Sequence, residues 1–317
     1  MSTTSELAPR RAAGSDSALA STGALAISAR DGELGARSFF NRALWGKALF
    51  ECRGLLLASL ALMFSFHWIF VWITSMVQLG PLADFVKTLP NGIQNLSGVP
   101  VNELATVAGR IALAYVDPVV LFTAAVWGIS RGSDAVAGEI DRGTMEMLLA
   151  QPIDRLALLL TKGAVAVLGA ALIAVVSFAG TWCGLTAVTL EEPTSIWAFL
   201  PAAINLFAMT FFLVGVSFAV SSFDRYRWRV IGLLGGFYTL SLIVNVMARM
   251  VEKLGWLEYF TFFGAYEPQG MTAFMLNEPA KAWAMSLHFD GLLIGLGLVG
   301  FAVSAVVFAR RDIPAPL

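Results

Sequence analysis

Charged residues are scarce in this sequence. Asp, Glu, Lys and Arg make up 14% of its 317 residues, whereas a typical soluble domain carries about 25%. Hydrophobic residues reach 57%, and the mean hydropathy is +0.74. The net charge of −1 lacks the basic excess of nucleic-acid-binding domains. These values argue against an ordinary soluble domain and indicate a membrane protein.

Three further features that the sequence lacks restrict the kind of membrane protein it can be. The two cysteines, Cys52 and Cys183, supply neither a disulfide framework nor the spacing of a metal site. Apolar residues do not alternate with period two, as barrel strands require, so the spanning elements are predicted to be α-helices. No G-x-x-x-x-G-K-[ST] motif occurs, so the chain has no loop of that type to hold ATP phosphates. We therefore expect this chain to bind no cofactor or metal.

The two ends of the chain differ from its middle. Residues 1–36 are rich in Ala, Ser and Gly, which predicts a disordered cytosolic tail. No clean apolar run follows Arg10 and Arg11, so a cleaved signal peptide is not expected. Residues 37–312 are predicted to form one transmembrane domain, and residues 313–317 a short C-terminal tail.

The middle of the chain contains six apolar runs, each long enough to cross a bilayer as a helix. The predicted spans are residues 54–77, 118–138, 158–188, 195–222, 228–250 and 288–309. The fold class is therefore an all-α polytopic membrane protein with six transmembrane helices. Two pairs of glycines, Gly232 with Gly236 and Gly291 with Gly295, predict close helix approach, within the chain rather than at a dimer contact.

The distribution of basic residues predicts the orientation. If the N-terminus is cytosolic, 16 of the 21 Lys and Arg residues fall in cytosolic segments, as the positive-inside rule requires. Both termini are then cytosolic, and so is the connection between the second and third spans. Outside, residues 78–110 predict a short surface helix, and the aromatic-rich residues 251–287 predict interfacial or re-entrant helices.

The connection between the second and third spans, GEIDRGTMEMLLAQPIDR at residues 138–155, is unusually polar and sharply turned. The second helix is predicted to project into the cytosol from Ser133 to Arg142 and to end at Gly143. Thr144 is predicted to cap a short apolar helix, Pro152 to stop it, and Asp154 to cap the third span. Such a compact element indicates either a docking site for a partner or a plain hairpin whose leucines pack on the protein itself.

The run Ala137-Gly-Glu-Ile-Asp-Arg-Gly-Thr-Met-Glu-Met-Leu-Leu-Ala-Gln-Pro152 resembles the signature of ABC-2 type transporter permeases, E-x-x-x-G-T-x-x-x-L-L-x-x-P. The matching residues are Glu139, Gly143, Thr144, Leu148, Leu149 and Pro152. Arg155 and Lys162 stand where the family usually has basic residues. The similarity, including the six-helix plan, extends over about residues 40–312.

This resemblance implies a non-catalytic permease subunit in the cell (inner) membrane. Its partners would be a separate ATPase subunit, which binds ATP and Mg²⁺, and a second permease subunit. Residues Glu139, Gly143, Thr144, Leu148, Leu149, Pro152 and Arg155 would form the ATPase-coupling segment. Glu139 is expected to fix the geometry of this segment by pairing with Arg142. Export is the expected direction, because the importer loop motif E-A-A-x-x-x-G is absent.

Two other classes compete with this interpretation. An ATP-independent secondary transporter would show repeats, broken helices and charge at the membrane midplane, of which the sequence shows little. An intramembrane enzyme would need a cluster of His, Cys or acidic residues. His67 is predicted to pack or to hydrogen-bond between helices, and Asp117 to cap the second span rather than act as an intramembrane acid. Asn205 and Asn245 are predicted to join helices rather than to line a pathway.

Overall fold

The computed structural model of the protein describes residues 41–76, 106–151, 153–190 and 192–311. The predicted tails, most of the predicted outer helix at residues 78–110, and Pro152 lie outside these ranges. Within them every regular element is a helix. The α-helices are α1 (Arg42–Met76), α2 (Val107–Val116), α3 (Pro118–Ala135), α4 (Ala137–Asp141), α5 (Thr144–Leu149), α6 (Arg155–Ala187), α7 (Leu200–Phe223), α8 (Arg227–Met250), α9 (Pro268–Asn277) and α10 (Pro279–Arg310).

Six helical stretches are long and apolar enough to cross a membrane. They are Arg42–Met76, Val107–Ala135, Arg155–Ala187, Ile196–Phe223, Arg227–Met250 and Pro279–Arg310. The prediction of an all-α protein with six transmembrane helices is therefore confirmed. The first and last helices begin earlier in the chain than the apolar runs alone suggested.

The second span consists of two helices. Asp117 ends α2 in an extended conformation, and its carboxylate accepts a hydrogen bond from the Val119 amide at 2.8 Å. Pro118 follows at the first position of α3, where an N–H group would have no partner within the helix, so its absence costs no hydrogen bond. The predicted capping role of Asp117 is confirmed, but Arg110, assigned by sequence to an outer loop, lies buried within α2.

Helix α7 lies at the centre of the bundle. It is the most deeply buried span and packs against α3, α6, α9 and α10. Small residues permit these contacts: a Cβ on Gly132 of α3 would lie 2.1 Å from the Ser217 Cβ of α7, and a Cβ on Gly300 of α10 would lie 2.5 Å from the Gly215 backbone. The helices around α7 thus pack at nearly backbone distance.

The predicted glycine pairs have a different environment. A Cβ on Gly232, Gly236, Gly291 or Gly295 would meet no atom of the chain within 4 Å. The expectation that these glycines permit close packing within the chain is therefore wrong. They lie on faces of α8 and α10 that the described part of the chain leaves uncovered.

The two ends of the bundle hold different elements. One end, which we call the basic end, contains the first residues of α1, α6 and α8 and the last residues of α3, α7 and α10. Helices α4 and α5 lie at the same end. At the opposite end, residues 252–277 form two 3-10 helices, Glu252–Phe260 and Phe262–Ala265, followed by α9. Tyr266 there donates a hydrogen bond of 2.5 Å to the Tyr115 carbonyl of α2.

Candidate functional site

The segment at residues 138–155 is ordered but not built as predicted. The chain leaves helical geometry at Val136 (φ −123°, ψ −60°), so the predicted continuous helix from Ser133 to Arg142 is interrupted. Gly143 has a φ of 69°, the left-handed conformation that glycine adopts without strain, and it separates α4 from α5. The predicted turn at Gly143 is therefore confirmed, whereas the predicted straight helix is wrong.

Ser221 of α7 compensates for the interruption at Val136. Its hydroxyl oxygen accepts hydrogen bonds from the amides of Val136 (3.3 Å) and Ala137 (2.9 Å), and its hydroxyl donates to the Ser133 carbonyl at 3.1 Å. Backbone groups that lose their helical partners are costly when buried. One serine therefore joins the broken helix to the central helix of the bundle.

Glu139 is the buried anchor of this segment. Its side chain on α4 is 0% exposed, and one carboxylate oxygen lies 2.6 Å from the Lys47 Nζ of α1 and 2.5 Å from the Lys162 Nζ of α6. Arg142 is more distant, at 3.5 Å. The predicted Glu139–Arg142 pair exists, but the two lysines, which come from different helices, are the closer partners. Glu139 thereby ties α1, α4 and α6 together.

Thr144 also contacts Glu139. Its hydroxyl donates to the other carboxylate oxygen and lies 3.2 Å from the Glu139 carbonyl. The N-cap of α5 is Gly143, and no side chain caps this helix. The predicted role of Thr144 as a cap is therefore wrong. Its hydroxyl instead holds the first turn of α5 against α4.

The charges around Glu139 determine its ionisation. Burial acts to raise the pKa of this carboxyl, but Lys162, Lys47 and Thr144 outweigh that effect and lower the pKa from 4.5 to about 2. Opposite charges and hydrogen bonds favour the ionised form of a carboxyl in this way. Glu139 is therefore an anion at neutral pH.

A second ion pair lies beside the first. Asp134, near the end of α3, accepts a bond of 2.6 Å from Arg142 Nη1 and lies 3.4 Å from Arg227 Nη1 of α8. The Asp134 carbonyl accepts a bond of 3.2 Å from Lys162 Nζ. Arg142, predicted to pair with Glu139, is therefore used mainly by Asp134. The two acids connect the segment to α1, α3, α6 and α8.

The described surface of the segment exposes several acidic side chains and the apolar side chain of Met147. Met147 is 66% exposed, while Met145 on the opposite face of α5 is buried. Asp141, Glu146 and Asp154 are exposed elsewhere on the segment. The exposed Met147 side chain is available to a partner.

Of the two leucines predicted to contact the ATPase, only Leu148 has a described side chain. Leu148 is half-buried and packs against the hydrophobic core. The side chain of Leu149 and the whole of Pro152 lie outside the described residues. Beyond the segment, the Arg155 guanidinium donates to the Arg311 carbonyl at 2.9 Å, and Asp154 caps α6 through the Leu156 amide at 3.2 Å, as predicted.

Sequence reasoning missed Lys47 and Asp134. Lys47 precedes the apolar run of the first span, and Asp134 lies inside the second, so neither stood out from ordinary flanking charge. A signal was present, since an acid near a span's end next to a glutamate five residues later needs cations nearby. Which cations supply this need depends on helix packing.

A second buried polar cluster lies towards the opposite end. Asp290 of α10 accepts hydrogen bonds from Asn205 of α7 at 2.6 Å and from Ser286 at 2.5 Å. Asn205 also donates to the Ala265 carbonyl and accepts from the Glu267 amide, both at 3.0 Å. The predicted role of Asn205 in joining helices is confirmed. Asp290 was missed, because the sequence placed it at the start of the last span.

The remaining candidate residues, His67 and Asn245, are buried within the helical bundle. His67 is fully buried; its Nδ1 lies 2.9 Å from the Met63 carbonyl, and its ring packs against Tyr115 at 4.8 Å between centroids. Asn245 is buried on α8, and its side-chain oxygen has no hydrogen-bond partner within the described residues. No group of three or more His, Cys, Asp or Glu residues in the described ranges could hold a metal ion.

Comparison with known proteins gives one family. Residues 52–313 match the family model described as "ABC-2 family transporter protein". Among curated proteins, no significant match was found. The family match contains the whole 138–155 segment and five of the six spans completely.

Proposed function

The chain belongs to the ABC-2 transporter family, whose members are the membrane-spanning permeases of ABC transporters, and we propose that its residues 138–155 dock a separate ATPase subunit. ATP and Mg²⁺ bind to that partner, and the permease converts the partner's movement into movement of its helices. The single observation that carries this proposal is the buried Glu139 carboxylate, which holds α4, next to the exposed surface on α5, against the two helices α1 and α6.

A coupling element has to transmit force without deforming. The Glu139 carboxylate holds α4 against α1 and α6, and Ser221 holds the start of α4 against α7. A push on α5 is therefore delivered to several spans at once rather than absorbed by a loose hairpin. Rigid-body movement of helices is an ordinary mode of such transitions. The break at Val136 separates this unit from α3 and gives it a point about which to turn.

The exposed surface suggests the chemistry of the partner's groove. Met147 is a flexible apolar side chain suited to an apolar pocket. Asp141 and Glu146 add exposed negative charge to the same segment. A complementary groove on the ATPase is apolar at its centre and basic at its rim. Leu149, in the family signature, belongs to the same proposed contact.

Direction and assembly complete the proposal. Export follows from the family tendency and the absence of the importer loop motif. A second permease subunit, identical or different, completes the transmembrane part. The protein is proposed to lie in the cell (inner) membrane with both termini and residues 138–155 in the cytosol, as the excess of Lys and Arg at that end indicates.

The test is a single charge placed at the exposed methionine. Full-length permease carrying Met147→Asp is co-expressed with the ATPase subunit of the same transporter, and the ATPase recovered per permease on pull-down is measured. Burying a large apolar side chain is worth roughly 1.5–3 kcal/mol, so recovery should fall at least about tenfold. Tyr259→Asp, at a residue 90% exposed at the opposite end, is the matched control and should leave recovery unchanged.

Two results distinguish a docking surface from a plain hairpin. Full recovery of the ATPase with Met147→Asp, at normal permease abundance in the membrane, would show that this surface is not the docking site. A separate variant, Leu148→Asp, addresses the alternative of a plain hairpin. Because Leu148 packs on the protein's own core, this variant should lower permease abundance itself, whereas Met147→Asp should not.

One observation favours a second candidate, the ATP-independent secondary transporter. Asp290 lies 11 residues into α10, about 16 Å along the helix at 1.5 Å per residue, and intramembrane acids often mark ion pathways. Substrate flux in liposomes separates the two functions. Flux that requires the ATPase subunit and ATP supports the permease, whereas flux driven by a proton gradient without the ATPase supports the secondary transporter.

A further inference from the structure

A cleft lies between the last turns of α7 and α10 at the basic end of the bundle. Its volume is about 490 Å³, and it is lined by Ser222, Phe223, Val306, Val307, Arg310 and Arg311. One wall is apolar and belongs to the membrane-spanning part, while the rim carries two guanidinium groups. An apolar surface next to positive charge matches the two parts of a membrane lipid with an anionic headgroup.

Arg311 is held at this rim by the protein. Its Nη1 donates to the Ser222 carbonyl at 2.7 Å and to the Asp224 carbonyl at 3.0 Å, which satisfies the last carbonyls of α7. Its own carbonyl accepts from Arg155 Nη1. The guanidinium is thus positioned before any ligand arrives, and its remaining N–H groups are left for an anion.

The residues that line this cleft include two arginines, Arg310 and Arg311, and no Asp or Glu. Burial lowers the pKa of Arg311, and Arg225 lowers it further, while Asp224 acts in the opposite direction. The Asp224 carboxylate already accepts bonds from the Arg225 and Tyr226 amides, at 2.6 and 2.9 Å. Arg310 is exposed, and no carboxylate among the described residues pairs with it. An anion would relieve this repulsion.

Exposed aromatic residues lie close to the cleft in the chain. Phe223 is 65% exposed beside the cleft, Tyr226 precedes α8, and Trp228 lies in the first turn of α8. The Arg229 guanidinium lies 4.7 Å from the Tyr226 ring centroid. Aromatic rings with neighbouring arginines are typical of the headgroup region of a bilayer. Aromatic rings and arginines near the cleft are therefore consistent with an opening in the headgroup region.

We propose that this cleft is a binding site for one anionic phospholipid. Arg310 and Arg311 contact the phosphate, and one acyl chain lies along Val306 and Phe223. The site is separate from the docking surface on α5, although Arg155 and Arg311 connect the start of α6 to its rim. A bound lipid therefore also holds the ends of α7 and α10 together where α6 begins.

The experiment is native mass spectrometry of the full-length permease in detergent, titrated with dioleoyl phosphatidylglycerol or dioleoyl phosphatidylcholine. The wild type should bind the first phosphatidylglycerol several-fold more tightly than phosphatidylcholine. Arg310→Gln should weaken that first binding roughly fivefold, as expected for one basic residue at a membrane surface. Arg53→Gln is the matched control, because Arg53 is exposed on α1 beside Phe50, away from the cleft.

A second variant tests the apolar part without changing charge. Val306→Trp places a large ring in the apolar part of the cleft and should reduce the preference for phosphatidylglycerol, although the arginines remain in place. Equal losses with Arg310→Gln and Arg53→Gln, or an unchanged preference with Val306→Trp, would overturn the proposal. Inorganic phosphate at millimolar concentration is the last arm. If it displaces the lipid completely, the arginines bind a phosphate group without a contribution from the acyl chain, which would overturn the proposed lipid site.

Discussion

Lys162 of α6 lies with its Nζ 2.5 Å from the Glu139 carboxylate of α4, although 23 residues separate them in the chain. Both side chains are almost completely removed from solvent. A buried ion pair is strongly destabilised when one partner is removed, because the other charge then remains buried without compensation. This pair is therefore both a structural requirement of the 138–155 segment and the connection between that segment and the third span.

Glu139→Gln should be the most damaging conservative change in the segment. It leaves the ammonium groups of Lys47 and Lys162 facing each other without the carboxylate between them. Breaking such a pair costs about 3–5 kcal/mol, so we expect a large fall in the thermal stability of the purified permease. Glu146→Gln, at an exposed position of the same segment, is the stability control. Equal melting temperatures for the two variants would contradict the role of Glu139 in holding α1, α4 and α6 together.

The same carboxyl predicts an acid-dependent loss of stability. Its pKa is lowered from 4.5 to about 2 in the folded protein, so the unfolded chain takes up the proton first. The contribution of Glu139 is fully present above pH 4.5 and is lost as the pH falls through about 2. The difference in unfolding free energy between wild type and Glu139→Gln should shrink across this window. A constant difference from pH 6 to pH 3 would show that the carboxyl is not stabilised as an anion.

The proposed orientation can be tested with single cysteines in a background where Cys52 and Cys183 are replaced. Met147→Cys and Tyr259→Cys are well suited, because both side chains are largely exposed and lie at opposite ends of the bundle. A thiol reagent that does not cross membranes should label Tyr259→Cys in intact cells, and should label Met147→Cys only after the cells are opened. The reverse pattern would invert the topology.

Glycine substitutions distinguish packed faces from uncovered ones. Gly132→Ala places a Cβ 2.1 Å from the Ser217 Cβ, so α3 and α7 must move apart, at a cost of about 1–3 kcal/mol. Gly232→Ala is the matched control, because its Cβ meets nothing within 4 Å. Thermal unfolding of the two purified variants should show a loss for the first and little change for the second. A comparable loss for Gly232→Ala would indicate that another subunit covers that face.

Substitutions at Asp290 test the buried polar cluster towards the opposite end of the bundle. Asp290→Leu removes the acceptor for Asn205 and Ser286, and leaving buried donors unpaired costs about 1–3 kcal/mol. Asp290→Asn keeps an acceptor oxygen and should cost less. Melting temperatures in the order wild type, Asn, Leu are expected. If both variants keep wild-type stability but lose transport in liposomes, Asp290 acts in the transport pathway rather than in joining helices.

The local turns and helix caps were predictable from the sequence. Gly143, Asp117 and Asp154 each perform the turn or capping role predicted for them, because those roles depend on a backbone preference or on an amide two residues away. The six spans were likewise accessible, since a bilayer selects apolar runs of sufficient length. Errors at the local level arose where a distant residue took over, as with Thr144, which bonds to Glu139 instead of capping α5.

The sequence by itself therefore determined the class of protein, the number of spans and the place of the sharp turn, because each follows from composition or from neighbouring residues. Only the tertiary structure decided which side chains meet. Glu139 has cations both before and after it in the chain, and nothing local favours Lys47 and Lys162 over Arg142. Helix packing at α1 and α6 makes that choice, because the energy of a buried charge depends on its neighbours in space and not on its neighbours in sequence.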